Sequence, residues 1–303
     1  MAKVKRNLTV ERVEYVASTM KTRQLPLSVM RGLLLQLSVT HTNGGGAAFT
    51  IKNLLDCITK IEVVLNGQDT RVSIPFYFLY YMNLLEFSVT PHQDLVTTVG
   101  AQTSYVHVYL PFALLRAAIP QDTLLDARKL STCILHVHWA AGLAGTDITS
   151  TDSGFLDIQS VEYANVPIEA KFASHEYGWD IVNVDKVGTN TIQLETLGTN
   201  QYRRLWLFAF AAAGTASDAE LDNIILKARS FTFIDAPSVD VQADNMRTFA
   251  QTLQTGIFVL DLPSDGLMSG RLDARALPEL TLEIKGLLDT GTLHIIKEKA
   301  IYA

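Results

Sequence analysis

The sequence predicts an all-β protein built from two β-sandwiches in tandem. Three observations carry this. Apolar residues recur mostly at period two, the pattern of strands with one buried face. The alternating runs are short and separated by Gly, Asn, Asp, Ser and Thr turns, which favours sandwiches over α/β units. The order of elements in the first half of the chain also recurs in the second, as a duplicated domain requires.

In chain order, the alternating runs of the first half are Leu33 to Thr40, Ile58 to Asn66, Arg71 to Ile74, Tyr105 to Leu110, Ile134 to Ala140 and Leu156 to Val166. Those of the second half are Trp179 to Val184, Thr191 to Thr196, Leu205 to Ala211, Ile224 to Lys227, Ser230 to Ile234, Val239 to Gln242, Ile257 to Leu262, Leu280 to Lys285 and Thr292 to Lys297. Helices are few. Phe76 to Phe87 (FYFLYYMNLLEF) has helix length and is apolar almost all round, which predicts a helix buried on several sides. Ala243 to Leu253 is amphipathic, with Met246, Phe249, Ala250 and Leu253 at the spacing of one helical face.

Leu-Asp-Ala-Arg occurs twice, at 125–128 and 272–275. Four letters alone are weak, because a chain of this length holds roughly one such match by accident. Context adds weight. In the first half a strand, an Asn66-Gly67 turn, a strand, a helix, YVHVYLP, the LDAR and ILHVHWA precede a closing strand. In the second, FTFIDAPSVDVQ reads as strand, Ala236-Pro237 turn and strand, followed by a helix, FVLDLP, the LDAR, LTLEIKG and HIIKEKAIY. Asn-Gly supplies the positive φ angles of a tight hairpin, and Leu-Pro at 110–111 and 262–263 ends a strand by removing a backbone donor.

Composition bounds the function. At 303 residues, 48% hydrophobic and 18% charged, the chain is a folded protein with substantial buried area. A net charge of -6 gives no general nucleic-acid footprint, so no sequence-specific nucleic-acid partner is expected. Cys57 and Cys133 sit inside apolar alternating segments, as small buried hydrophobes do. The N-terminus lacks the apolar core of a signal peptide and no run has membrane-span length, so folding in a cytosol is expected. Asn7-Leu8-Thr9 fits the glycosylation pattern but lacks a secretory signal beside it.

Two tandem sandwiches of about eight strands, each interrupted by a helix, resemble the double jelly-roll major capsid proteins. That family builds the shells of adenovirus, large DNA viruses of eukaryotes and tailless membrane-containing phages, and the small loops here resemble the compact phage members. The resemblance is architectural and covers about residues 21 to 303. It implies jelly rolls at 23–172 and 173–303, and a homotrimer whose six rolls form a pseudo-hexagonal capsomer of an icosahedral virion assembled in the host cytoplasm. It further implies neighbouring capsomers, minor capsid and penton proteins and an internal lipid membrane as partners, with no enzymatic activity and no cofactor.

Residues 1–22 stand outside both expected rolls, as a basic N-terminal helical arm. Lys3, Lys5, Arg6, Arg12, Lys21 and Arg23 outnumber Glu11 and Glu14, and Val10, Val13, Val16, Ala17 and Met20 give one helical stripe. The resemblance implies an arm on the inner side of the shell, with Lys3, Lys5, Arg6 and Arg12 facing a membrane or genome. The other reading is a solvated arm clamping an adjacent subunit.

Few residues suggest chemistry. His136 and His138 share one face of a strand, a spacing metal sites use and with which cupins, themselves jelly rolls, begin theirs. The Glu that cupins place a few residues on is missing from HVHWAAGLAG, and the second repeat has LEIKG instead; partly exposed strand histidines are the other reading. Gly44-Gly45-Gly46 lacks the Lys-Ser/Thr of a phosphate loop, and no G-x-S-x-G elbow occurs. Asp56, Asp157 and Glu162 read as turn or surface acids. Asp126 with Arg128, and Asp273 with Arg275, suit a bidentate pair that either orders the loop entering the next strand or crosses to another subunit. The competing classes are a tandem cupin-type metal-dependent enzyme and a carbohydrate-binding β-sandwich. The latter needs exposed aromatics, whereas Trp139, Trp179 and Trp206 all lie in apolar strands.

Overall fold

The computed structural model describes residues 4–45, 49–113, 123–142, 148–167, 170, 172–185, 188–196, 201–262, 272–274, 277, 279–286 and 290–301. Lys3, Gly46, Pro263 and Arg275 lie outside the described residues. The chain forms two compact units, the first ending at His175 and the second beginning at Glu176.

The first contains β1 (Val4–Glu14), β2 (Met20–Gln24), β3 (Val29–Asn43), helix α1 (Ile51–Leu55), β4 (Ile58–Leu65), β5 (Asp69–Ile74), helix α2 (Phe76–Phe87), β6 (Gln93–Asp94), β7 (Gly100–Pro111), β8 (Leu125–Asp126), β9 (Cys133–Trp139) and β10 (Ile148–Ala164). The second opens on β11 (Ser174–Asp185) and continues with β12 (Thr189–Gln193), β13 (Gln201–Ala211), β14 (Asn223–Ala228), β15 (Phe231–Pro237), helix α3 (Ser238–Phe249), β16 (Ile257–Asp261), β17 (Leu272–Asp273), β18 (Leu280–Lys285) and β19 (Thr290–Ile301).

Each unit is a jelly roll, and the two correspond strand for strand. One sheet of the first unit has the order β1-β10-β3-β7, extended by the short β6, and the other β5-β4-β9-β2. The second unit has β11-β19-β13-β16 and β15-β14-β18-β12. β3 pairs antiparallel with β10 and β7 and, in the same roles, β13 pairs antiparallel with β19 and β16. Alternation decides which face turns inward. In β3 Leu33, Leu35, Leu37 and Val39 are fully buried, in β4 Ile61 and Val63, and in β9 Leu135 and Val137. The core of the second unit draws on Leu205 and Leu207 of β13, Leu282 and Ile284 of β18 and Leu293 and Ile295 of β19.

Fourteen of the fifteen alternating runs fall on strands, and Phe76 to Phe87 coincides with α2. Three expectations are corrected. The helical arm is β1 and β2, the first two strands of the first roll. Val4 to Val10 pair with Ala164 to Ile158 of β10, and β2 pairs with β9. Val13 is buried while Val16 is 41% and Met20 51% exposed, so no helical stripe exists. The segment is rich in β-branched residues, and the open edge of β10 supplies the backbone partners that select the strand.

Second, Val239 to Gln242 is not a strand. It lies in α3, which buries Ser238, Val241, Asn245 and Phe249 while Val239 and Met246 stay exposed. Those intervals follow the helical period, and Pro237 is compatible with a helix start. Third, the hairpin turn of the second roll is therefore Arg229-Ser230, with Arg229 at φ 51°. The counterparts of β4 and β5 are β14 and β15, one strand earlier than the sequence pattern placed them. Asn66 and Gly67 do adopt positive φ, 50° and 73°.

Candidate functional site

Among the described residues no group of three or more His, Cys, Asp or Glu side chains is placed to hold a metal ion. The features that recur in both rolls are turns and clamps. In α2, Asn83 Nδ2 donates to the Tyr109 carbonyl of β7 at 2.8 Å and the Tyr109 amide donates back to Asn83 Oδ1 at 2.6 Å. In α3, Asn245 does the same to Val259 of β16, at 2.7 Å each way. Both helices have twelve residues, a proline at the N-cap and a left-handed C-cap, Ser88 or Ala250 at φ 52°. Sequence reasoning missed this clamp. Its signal is a proline eight residues before an asparagine, Pro75 to Asn83 and Pro237 to Asn245.

The LDAR segments also hold equivalent places. Leu125 and Asp126 pair with Met30 and Val29 at the start of β3, and Leu272 and Asp273 with Tyr202 and Gln201 at the start of β13. A turn follows each, with Leu130 donating to Ala127 and Leu277 to Ala274, both at 3.1 Å. In the first copy Arg128 grips Asp126 through Nε at 2.8 Å and Nη2 at 2.7 Å, and its Nη1 reaches the Val166 carbonyl at 2.8 Å. The bidentate pair thus ties the turn to the end of the roll. Hydrogen bonds from the Arg128 guanidinium hold the Asp126 carboxyl below its ordinary range, more than offsetting its partial burial.

His136 and His138 point outward from β9, whose alternate residues Leu135 and Val137 are buried. His138 Nε2 lies 2.7 Å from Glu62 Oε2, and the other Glu62 oxygen is 2.9 Å from Lys60 Nζ. Burial alone would raise the Glu62 carboxyl, but hydrogen bonds from Lys60 and His138 keep it below its ordinary value. Burial also lowers the His136 imidazole. The Lys60 ammonium against the Glu62 carboxylate opposes a cation at this pair.

Arg12 is engaged as well. It meets Asp157 at 2.7 and 3.0 Å and stacks 3.5 Å over Phe155, in the wall of a depression of about 460 Å3 that Gln36 and His107 also line. Lys5 and Arg6 lie in β1 opposite Tyr163 and Glu162. Within the second roll, Glu195 lies between Lys299 at 2.9 Å and Lys297 at 3.4 Å, with Glu176 at 2.6 Å from Lys299 and Asp180 at 2.8 Å from Lys297. Hydrogen bonds from Lys299 lower the Glu195 carboxyl. Arg203 and Trp206 share the carboxylate of the buried Glu298, at 2.5 and 3.0 Å. These groups are matched in charge and hydrogen bonding, the condition for burying them at tolerable cost.

No protein-family model and no curated protein sequence matches the chain. Solved structures do. The major capsid protein of the Sulfolobus turreted icosahedral virus aligns with a TM-score of 0.77 over 98% of this chain and 96% of that one, at 12% identity. The major capsid protein of bacteriophage PM2 gives 0.69 over 99% and 98%, also at 12% identity. The capsid structure of virus PBCV-1 gives 0.69 over 99% and 94% at 10% identity. At such identities the likeness is one of fold, and the fold is the double jelly roll from end to end.

Proposed function

We propose that the chain is a major capsid protein, three copies of which form a pseudo-hexagonal capsomer of an icosahedral virion. The observation that carries this is the strand-for-strand duplication together with end-to-end likeness to capsid subunits, at 96% and 98% of the length of the first two. The two rolls account for nearly all of the chain. Two similar blocks per chain give a trimer six nearly equivalent sides, which is the geometry needed to tile a surface. Among the described residues the side-chain clusters order turns and tie strands together, which suits this role.

On this reading neighbouring capsomers, minor capsid proteins and penton proteins are the partners, an internal membrane lies beneath the shell, and the virion assembled in the host cytoplasm is the location. Light scattering and negative-stain electron microscopy of the purified protein test it. Trimers with a hexagonal outline are expected. A protein that stays monomeric at high concentration and forms no such particles overturns the proposal.

A further inference from the structure

One difference between the two rolls falls on a pair of equivalent positions in β5 and β15. Counting back from the prolines that precede α2 and α3, Asp69 and Arg71 of β5 correspond to Phe231 and Phe233 of β15. In β5 the two side chains are an ion pair at 2.7 Å. In β15 they form an edge-to-face aromatic pair at 4.8 Å, and Phe231 is 63% exposed. β15 also ends its sheet, with β14 on one side and no described strand on the other. Folded proteins blunt such edges with charge; an edge that instead carries an exposed aromatic is built to be covered. Pro237 has no amide hydrogen and limits the accepting stretch to residues 231–235.

A complementary edge lies in the first roll. β1 ends its own sheet, with β10 on one side, and Leu8 is 38% exposed. Further along, Arg23 caps the strand by donating from Nε and Nη2 to the Arg12 carbonyl at 3.0 and 2.8 Å, which leaves the stretch from Val4 to Val10 for pairing. That stretch is basic, with Lys5 and Arg6, whereas Asp235 and Asp240 stand exposed at the far end of β15 and the start of α3.

We propose that β15 of one copy pairs antiparallel with β1 of a second copy. One register sets Asp235 opposite Arg6, Phe233 opposite Leu8 and Phe231 opposite Val10, matching charge with charge and apolar with apolar. Because the two edges differ, each copy donates one and accepts one, and three copies close a ring with no edge of this kind left over. This rests on the capsomer reading and gives it a specific contact. It also assigns the basic N-terminal segment to a protein edge rather than to a lipid surface.

Two experiments on the full chain test the pairing. Phe231→Glu, at an exposed position, is expected to leave the circular dichroism spectrum unchanged while light scattering shows three chains falling to one. A Val10→Cys, Phe231→Cys double variant is expected to give inter-chain disulfide ladders ending at three chains under oxidation, with the native Cys57 and Cys133 buried and silent. A trimeric wild type whose mass Phe231→Glu leaves unchanged overturns the edge pairing alone, as does disulfide formation by Phe231→Cys without its partner. A wild type that never trimerises overturns the capsomer reading itself.

Discussion

Asn83 and Asn245 are the residues on which the helix placement in each roll depends. Each satisfies both the amide and the carbonyl of one strand residue, a demand that only an asparagine-like side chain meets at that distance. Asn83→Ala or Asn245→Ala leaves two backbone groups unpaired beneath a helix and is expected to cost about 2–4 kcal/mol, measured by chemical denaturation. His294 gives a pH dependence. Burial lowers its imidazole from 6.5 to about 4, and its Nδ1 accepts from the Trp179 indole N–H at 3.2 Å, a bond that protonation at Nδ1 would remove. The unfolded state therefore binds the proton first as pH falls. The stability this group contributes is complete above 6.5 and is lost between there and about 4. The unfolding free energy of His294→Gln should fall less steeply than that of the wild type across that window.

Among the elements, short apolar alternation marks a strand nearly everywhere and fails to at Val239 to Gln242. Four residues contain too little pattern to separate period two from period 3.6. The burial of Val241 and the 66% exposure of Val239 separate them in the folded chain. In a strand these two would share a face; in α3 they do not. Val239→Asp is accordingly expected to change stability by no more than about 0.5 kcal/mol, whereas Val241→Asp places a carboxylate against the core and is expected to cost about 3 kcal/mol or more in a urea titration. The buried Arg203, Lys297 and Lys299 were equally hidden, because their carboxylate partners come from strands and loops distant in sequence.

For the whole molecule, treating residues 1–22 as an appended arm and as two strands of the first roll leads to opposite outcomes. Deleting residues 1–24 removes β1 and β2, stripping β10 and β9 of a neighbour each. The truncated chain is expected to aggregate or melt well below the full chain in a thermal scan, whereas loss of an appendage would leave the melting temperature unchanged. The sequence by itself determined the all-β class, most of the strand positions, helix α2 and the existence of two copies, because those follow from local period and from order along the chain. It also placed LDAR at equivalent points of both copies, where each segment pairs with the first residues of β3 or β13. Only the tertiary structure decided that the basic N-terminus is strand, that α3 begins at Ser238, which hairpin matches which, and where an aromatic edge stands uncovered. Each of those depends on a hydrogen-bonding partner or a covering surface supplied from elsewhere in the chain, which no local pattern encodes.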